Sequence, residues 1–145
     1  SNVSIMPYNM LVCHGKGNII IHENAEIGMF SRIAAVSKVE IGKDVITGPN
    51  IFIADYNHKY EDIETPIKYQ GNVTKGENPS VYIGDGTWIG TNVVIVGTVN
   101  IGKNCVIGAN TVITKDVPDY SVVVGATSRI IKKYDKNKKK WVLIK

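Results

Sequence analysis

Of the three histidines in this chain, His58 has the neighbours that proton chemistry needs. Asn57 is adjacent, and Asp55 and Glu61 lie within three residues. A neutral imidazole titrates at about 6.5 in water, so it can take a proton from a hydroxyl near neutral pH. An amide such as that of Asn57, or a main-chain N–H, can donate to an oxyanion. Asp55, Glu61 or a main-chain carbonyl can orient the ring, and the sequence does not choose among them. Taken alone, His58 reads equally as a solvent-facing loop histidine. His14 and His22 fall in a less regular N-terminal part and read as structural. The three histidine spacings do not suggest a shared metal site, and no metal requirement follows.

The remaining reactive side chains are two cysteines and a basic run. Cys13 and Cys105 belong to no CxxC pair, which argues against zinc and thioredoxin chemistry. Cys105 reads as a buried structural thiol, and a reducing, cytoplasmic setting is the expectation. The net charge is +4, and Lys132, Lys133, Lys136, Lys138, Lys139, Lys140 and Lys145 crowd the C-terminal end. That run is a solvated tail, or it attracts a phosphate-bearing ligand or an anionic surface. Nucleic acid is a poor partner for it, because no recognition helix or aromatic RNA-binding motif accompanies it. No stretch approaches the roughly 18 to 20 apolar residues of a transmembrane helix. No basic segment followed by an apolar core marks a secretory signal.

What must position His58 is a repeat. Ile83, Ile89, Ile95, Ile101, Ile107 and Ile113 recur every six residues, and Ile41, Thr47 and Ile53 share their register. Six fits neither the 3.6 of a helix nor the 2 of a strand. It marks short units that stack as the sides of a coil. The position after the aliphatic is mostly glycine. Three after it stand Asp44, Asn50, Tyr56, Gly86, Asn92, Thr98, Asn104, Asn110 and Asp116, mostly residues that tolerate positive φ. Four after it come small or β-branched residues, among them Val45, Ile51, Val93, Val99 and Cys105. Each hexad therefore reads as a short strand closed by a sharp corner. Its aliphatic residue stacks on its equivalent one coil away.

Ile21, Ile27, Ile33 and Val39 keep the step but sit two residues out of phase, which places a two-residue insertion near 36–40. The first dozen residues show no repeat. Residues 59–80 read as a long excursion from one corner, because the register resumes unshifted at Ile83. The expected organisation is one all-β domain over 1–132, a single-stranded parallel β-helix with the excursion 59–80. A basic extension over 133–145 follows, with Trp141-Val142-Leu143-Ile144 docking on the outer face or on a neighbouring subunit.

The segments 83–95, 101–118 and 120–125 resemble the hexapeptide-repeat acyltransferases, which fold as a left-handed parallel β-helix of triangular section. The stretch 53–62, with Pro66-Ile67 and Gln70-Gly71, is similar to the galactoside, maltose and streptogramin O-acetyltransferases among them. Those proteins carry a catalytic histidine just before an extended loop, and His58 is the match. The resemblance implies transfer from acetyl-CoA to a hydroxyl of a sugar or polysaccharide precursor. His58 would serve as base in a ternary complex, with Asn57 and Asp55 as its supporting residues. It implies cofactor contacts at Thr91, Ala109, Thr114 and Lys115, and at Arg129 and Lys132 for CoA phosphates. Trp88 flanks the cofactor or acceptor, or covers a subunit contact. It also implies a homotrimer with sites between subunits. Gly125-Ala126-Thr127-Ser128 departs from the family's usual turn before the arginine. Competing readings are N-acetylation of a nucleotide-linked amino sugar, antibiotic O-acetylation, and a non-catalytic β-helix binding module.

Overall fold

The computed structural model describes residues 2–74, 76 and 78–144. Lys75 and Glu77 of the excursion, and Lys145 of the basic run, lie outside the described residues. The six-residue step becomes one side of a three-sided parallel coil. The first face stacks strands Glu26–Ile27, Ile46–Thr47, Trp88–Ile89, Val106–Ile107 and Ser121–Val124. The second stacks Met10–Cys13, Arg32–Ala35, Phe52–Ala54, Val94–Val96 and Val112–Ile113. The third stacks Asn18–Ile21, Lys38–Ile41, Ser80–Ile83 and Val99–Ile101, with Val117 bridging onto Ile101. The register puts like on like. Ile33, Ile53, Ile95 and Ile113 form one rung row, and Ile41, Ile83 and Ile101 another. Every isoleucine of the six-step series from Ile83 to Ile113 is fully buried. No hexad closes a core alone; burial arises only between neighbouring coils.

The three corners are not alike. The first, between the first and second faces, turns through Phe30, Asn50, Asn92 and Asn110, all at positive φ. The third, between the third and first faces, turns through Asn24, Asp44, Gly86 and Asn104, also at positive φ. Asn50, Asn92 and Asn110 also join their side-chain amides in a ladder, at 2.7 and 3.1 Å. The second corner, between the second and third faces, lacks the ladder and takes its positive φ at Gly15 and Gly97 instead. Tyr56, Thr98 and Asp116 occupy the third-after position there and are not among the positive-φ residues. The two regular corners always take six residues. From Leu11 to Ile21, Ile33 to Ile41, Ile53 to Ile83 and Ile95 to Ile101, the second takes ten, eight, thirty and six. The insertion near 36–40 and the excursion 59–80 are thus two uses of one corner.

Two expectations change. The first dozen residues do carry the repeat: Ser4–Ile5 and Met10–Cys13 pair in parallel with the next coil. Ile5 and Leu11 are six apart, but the ten-residue corner after Leu11 hides their phase. As the terminal rung they stay exposed. At the other end, Arg129–Asp135 and Lys140–Leu143 form an antiparallel hairpin on Ser121–Val124, so the boundary at 132 falls inside a strand. Trp141 packs on Tyr134 of that hairpin at 5.5 Å between ring centres. An antiparallel hairpin ends the stack of parallel strands, which blunts an edge open to further pairing. Cys105 is buried as expected, and burial pushes its thiol up.

Candidate active site

The site begins with Asp55. Its side chain is fully buried, and its two oxygens accept from the amides of Val36, Ser37 and Lys38 at 2.9, 2.8 and 2.7 Å. Those amides run from the widened second corner of the coil before into Lys38, the first residue of its next strand. Buried N–H groups need an acceptor, and the carboxylate supplies it. Of the groups that the sequence leaves open to orient His58, Asp55 is thus engaged with the main chain of the neighbouring coil.

Past Asp55 the chain leaves the coil. Tyr56 turns edge-on between two imidazoles, with its ring centre 5.8 Å from His14 and 6.2 Å from His58, both near perpendicular. Its hydroxyl lies 3.4 Å from His14 Nε2. The strand Asn57–His58 then pairs antiparallel with Asn72–Val73, outside the prism. The main-chain bond from Lys59 N to Gly71 O extends that ladder. Asn57 and His58 are therefore exposed, yet held by main-chain pairing.

His58 opens onto a cleft of about 510 Å³, lined with it by Asn57, Tyr60, Glu61, Ile67 and Val73. Asn57 and Val73 also line the next hollow, of about 370 Å³, with Gly97, Thr98 and Thr114. Thr98 and Thr114 line a third, of about 420 Å³, with Lys115 and Asp116. Thr114 and Lys115 line a fourth, of about 170 Å³, with Ala126, Thr127 and Ser128. Shared residues set these hollows in a row, a trough of adjoining hollows along the second corner, from His58 to the residue before Arg129. Thr114 and Lys115, expected at a cofactor, lie in it. Arg129 begins the hairpin strand at its far end, whereas Lys132 pairs with Val122 on the first face, outside the four hollows.

The other expected cofactor residues lie elsewhere. Trp88 points out from the first face, 53% exposed, between Ile46 and Val106. Thr91 and Ala109 sit on the first corner, where Asn110 N bonds to Thr91 O at 2.9 Å. Ala109 and Thr114 flank the strand Val112–Ile113, one at each end. One chain does not bring the two sets together. Sequence reasoning also passed over Tyr60, Gly97 and Thr98. The signal was present: the hexads at this corner carry Ala54, Val96 and Thr114 where the others carry glycine.

The model of the bacterial transferase hexapeptide family, described as six repeats, matches residues 80–115. An Escherichia coli K12 protein, named as a lipopolysaccharide biosynthesis O-acetyl transferase, is 32% identical over 88% of this chain and 66% of its own length. This chain belongs to the hexapeptide-repeat acyltransferase family. Among solved structures, a galactoside acetyltransferase in complex with coenzyme A is 30% identical, with a TM-score of 0.71 over 94% of this chain and 66% of that one. A maltose O-acetyltransferase from Clostridium difficile 630 is 29% identical, also at 0.71, over 93% and 68%. The coil is accordingly the left-handed parallel β-helix of that family. The chain spans just under two thirds of the length of the E. coli relative. Among the described residues no helix is long and apolar enough to cross a membrane.

Proposed function

We propose that this chain transfers the acetyl group of acetyl-CoA to a hydroxyl of a sugar or polysaccharide precursor. The observation that carries the reading is the row of adjoining hollows that runs from His58 to Lys115. A thioester-bearing ligand whose phosphates sit near Lys115 and the start of the hairpin reaches the imidazole along it. The relatives reported above are named for lipopolysaccharide biosynthesis, galactoside and maltose, which favours a saccharide hydroxyl as acceptor.

In this mechanism His58 removes the hydroxyl proton as the oxygen attacks the thioester carbonyl. The proton then returns from the imidazolium to the departing thiolate, so the base is regenerated. Transfer is direct, in a ternary complex, with no covalent intermediate on the chain. The Asn57 amide or a corner N–H donates to the oxyanion. The ring is steadied by Tyr56 and by its strand, not by Asp55. Lys115 offers an ammonium to phosphate.

A homotrimer completes the site. Trp88, Thr91 and Ala109 lie on a different corner from the trough, and a neighbouring chain can bring that corner against it. The outer rows support packing of this kind. Ile46, Trp88, Val106 and Val122 make one apolar row, and Phe52, Val94 and Val112 another, whereas the third face presents Glu40, Tyr82 and Asn100.

The test is a pair of variants. His58→Ala should lower turnover by about a hundredfold or more, the usual scale for a lost general base, with CoA affinity held. Lys115→Ala should weaken CoA binding instead, as calorimetry would read. Unaltered turnover in His58→Ala would remove the base assignment.

A further inference from the structure

We infer that the cleft beside His58 is built for the ring of a neutral pyranose, with Tyr60 as the wall it seats against and Glu61 as the gate that rejects acidic sugars. This rests on the acetyl-transfer reading above and narrows its substrate class.

Three observations carry it. The first is an unpaid apolar surface. Tyr60 is 68% exposed and Ile67 53%, both lining a cleft that His58 also lines. A hexopyranose has an apolar C–H face, which suits a tyrosine ring, and an edge of hydroxyls. The second is order. Gln70 Nε2 donates to the carbonyls of Asp62 and Thr65 at 2.7 and 2.6 Å, and Asp62 N donates to Gln70 Oε1 at 3.2 Å. Tyr60 and Glu61 thus border a stapled loop. Glu61 Oε2 also accepts from Tyr60 N at 3.0 Å, which pins the carboxylate beside the ring. A preformed wall binds without first having to order itself.

The third is charge. Among the described residues, the cleft is lined by one carboxylate, Glu61, and by no lysine or arginine. Lys68, on the same loop, lies over the ring of Tyr69 at 5.6 Å and is not in the lining. Toward the far end Lys115 shares one hollow with Asp116, and in the last hollow it is the charged residue among the described lining. The two ends therefore sort two substrates: phosphates go to Lys115, and an uncharged ring goes to Glu61. A uronic acid or sialic acid would place its carboxylate against Glu61 with no cation to offset it.

The experiment uses the full chain, acetyl-CoA and free-thiol detection. The acceptors are matched pairs, methyl glucoside with methyl glucuronide and methyl galactoside with methyl galacturonide. The neutral member should be preferred by about tenfold or more in kcat/KM. Glu61→Gln should shrink that ratio to about threefold or less. Tyr60→Ala should raise the acceptor KM by about tenfold with the KM for acetyl-CoA held, and Tyr60→Phe should recover most of that loss. Acidic members used as readily as neutral ones, a ratio that Glu61→Gln leaves in place, or an unmoved acceptor KM in Tyr60→Ala would each overturn the inference alone. A chain that binds acetyl-CoA by calorimetry yet acetylates no sugar overturns the saccharide transfer reading as well.

Discussion

An aspartate three residues from a candidate base invites a relay, yet Asp55 spends both oxygens on the main chain. Proximity in sequence is not proximity in space here, because the coil turns between residues 55 and 58. The carboxylate points back to the previous coil, while His58 leaves on a strand of its own. The two residues therefore fail in different ways when altered. Asp55→Ala leaves three buried or half-buried amides without an acceptor, at about 1–3 kcal/mol each for those that water cannot reach. A total near 3 kcal/mol lowers the melting temperature of a domain this size by roughly 10 °C. Asp55→Asn keeps one acceptor oxygen and should lose less. Thermal unfolding followed by circular dichroism reads both. A melting temperature that holds in Asp55→Ala while turnover collapses would restore the relay.

At the scale of the coil, the repeating glycines do their work by absence of a side chain, not by unusual φ. A Cβ on Gly84 would lie 2.6 Å from both Gly102 C and Lys103 N, which are main chain of the next coil. Neither can withdraw without parting two rungs. Gly84→Ala should cost about 1–3 kcal/mol by overpacking, whereas alanine already stands at the equivalent position of the second corner, Ala54. A chemical denaturation midpoint that is unchanged in Gly84→Ala would mean that adjacent coils slide apart more freely than their pairing implies. This contrast also explains what could be read in advance. The step of six, the left-handed Asn and Asp residues and the buried Cys105 follow from local rules that hold at two corners, so the sequence displays them directly. Ile5 and Leu11 obey the same rules but are cut off by a corner of ten residues, and a phase interrupted near the end has nothing to confirm it. His58 was legible as the edge of the excursion. The trough was not, because Asn57, Thr98 and Thr114 line one hollow only when coils well apart in sequence are stacked. Asp55 misled because its partners at 36–38 are near in space on the side that sequence does not show.

At the scale of the assembly, the division of the expected cofactor residues between two corners becomes testable. Thr114 and Lys115 share the trough with His58. Ala109 stands on the corner across the second face, exposed and free of that trough. If each site is made by two chains, a chain with His58→Ala still offers an intact Ala109 corner, and a chain with Ala109→Trp still offers an intact His58. Either variant alone forms assemblies in which every site is defective. Coexpressed and randomly mixed in a closed ring, they rebuild a site wherever an intact His58 meets an intact neighbouring corner, which is about a quarter of all sites. Turnover should therefore rise from near zero in each parent to about a quarter of the unaltered enzyme in the mixture. Sites confined to one chain cannot recover at all, since no chain in the mixture carries both intact groups. Light scattering on the same samples gives the number of chains, and Trp88→Asp, which puts a charge in the apolar row of the first face, should lower that number and the turnover together. Absence of recovery on mixing, with assembly intact, would place the whole site within one prism and remove the reason for Trp88, Thr91 and Ala109 to take part in it.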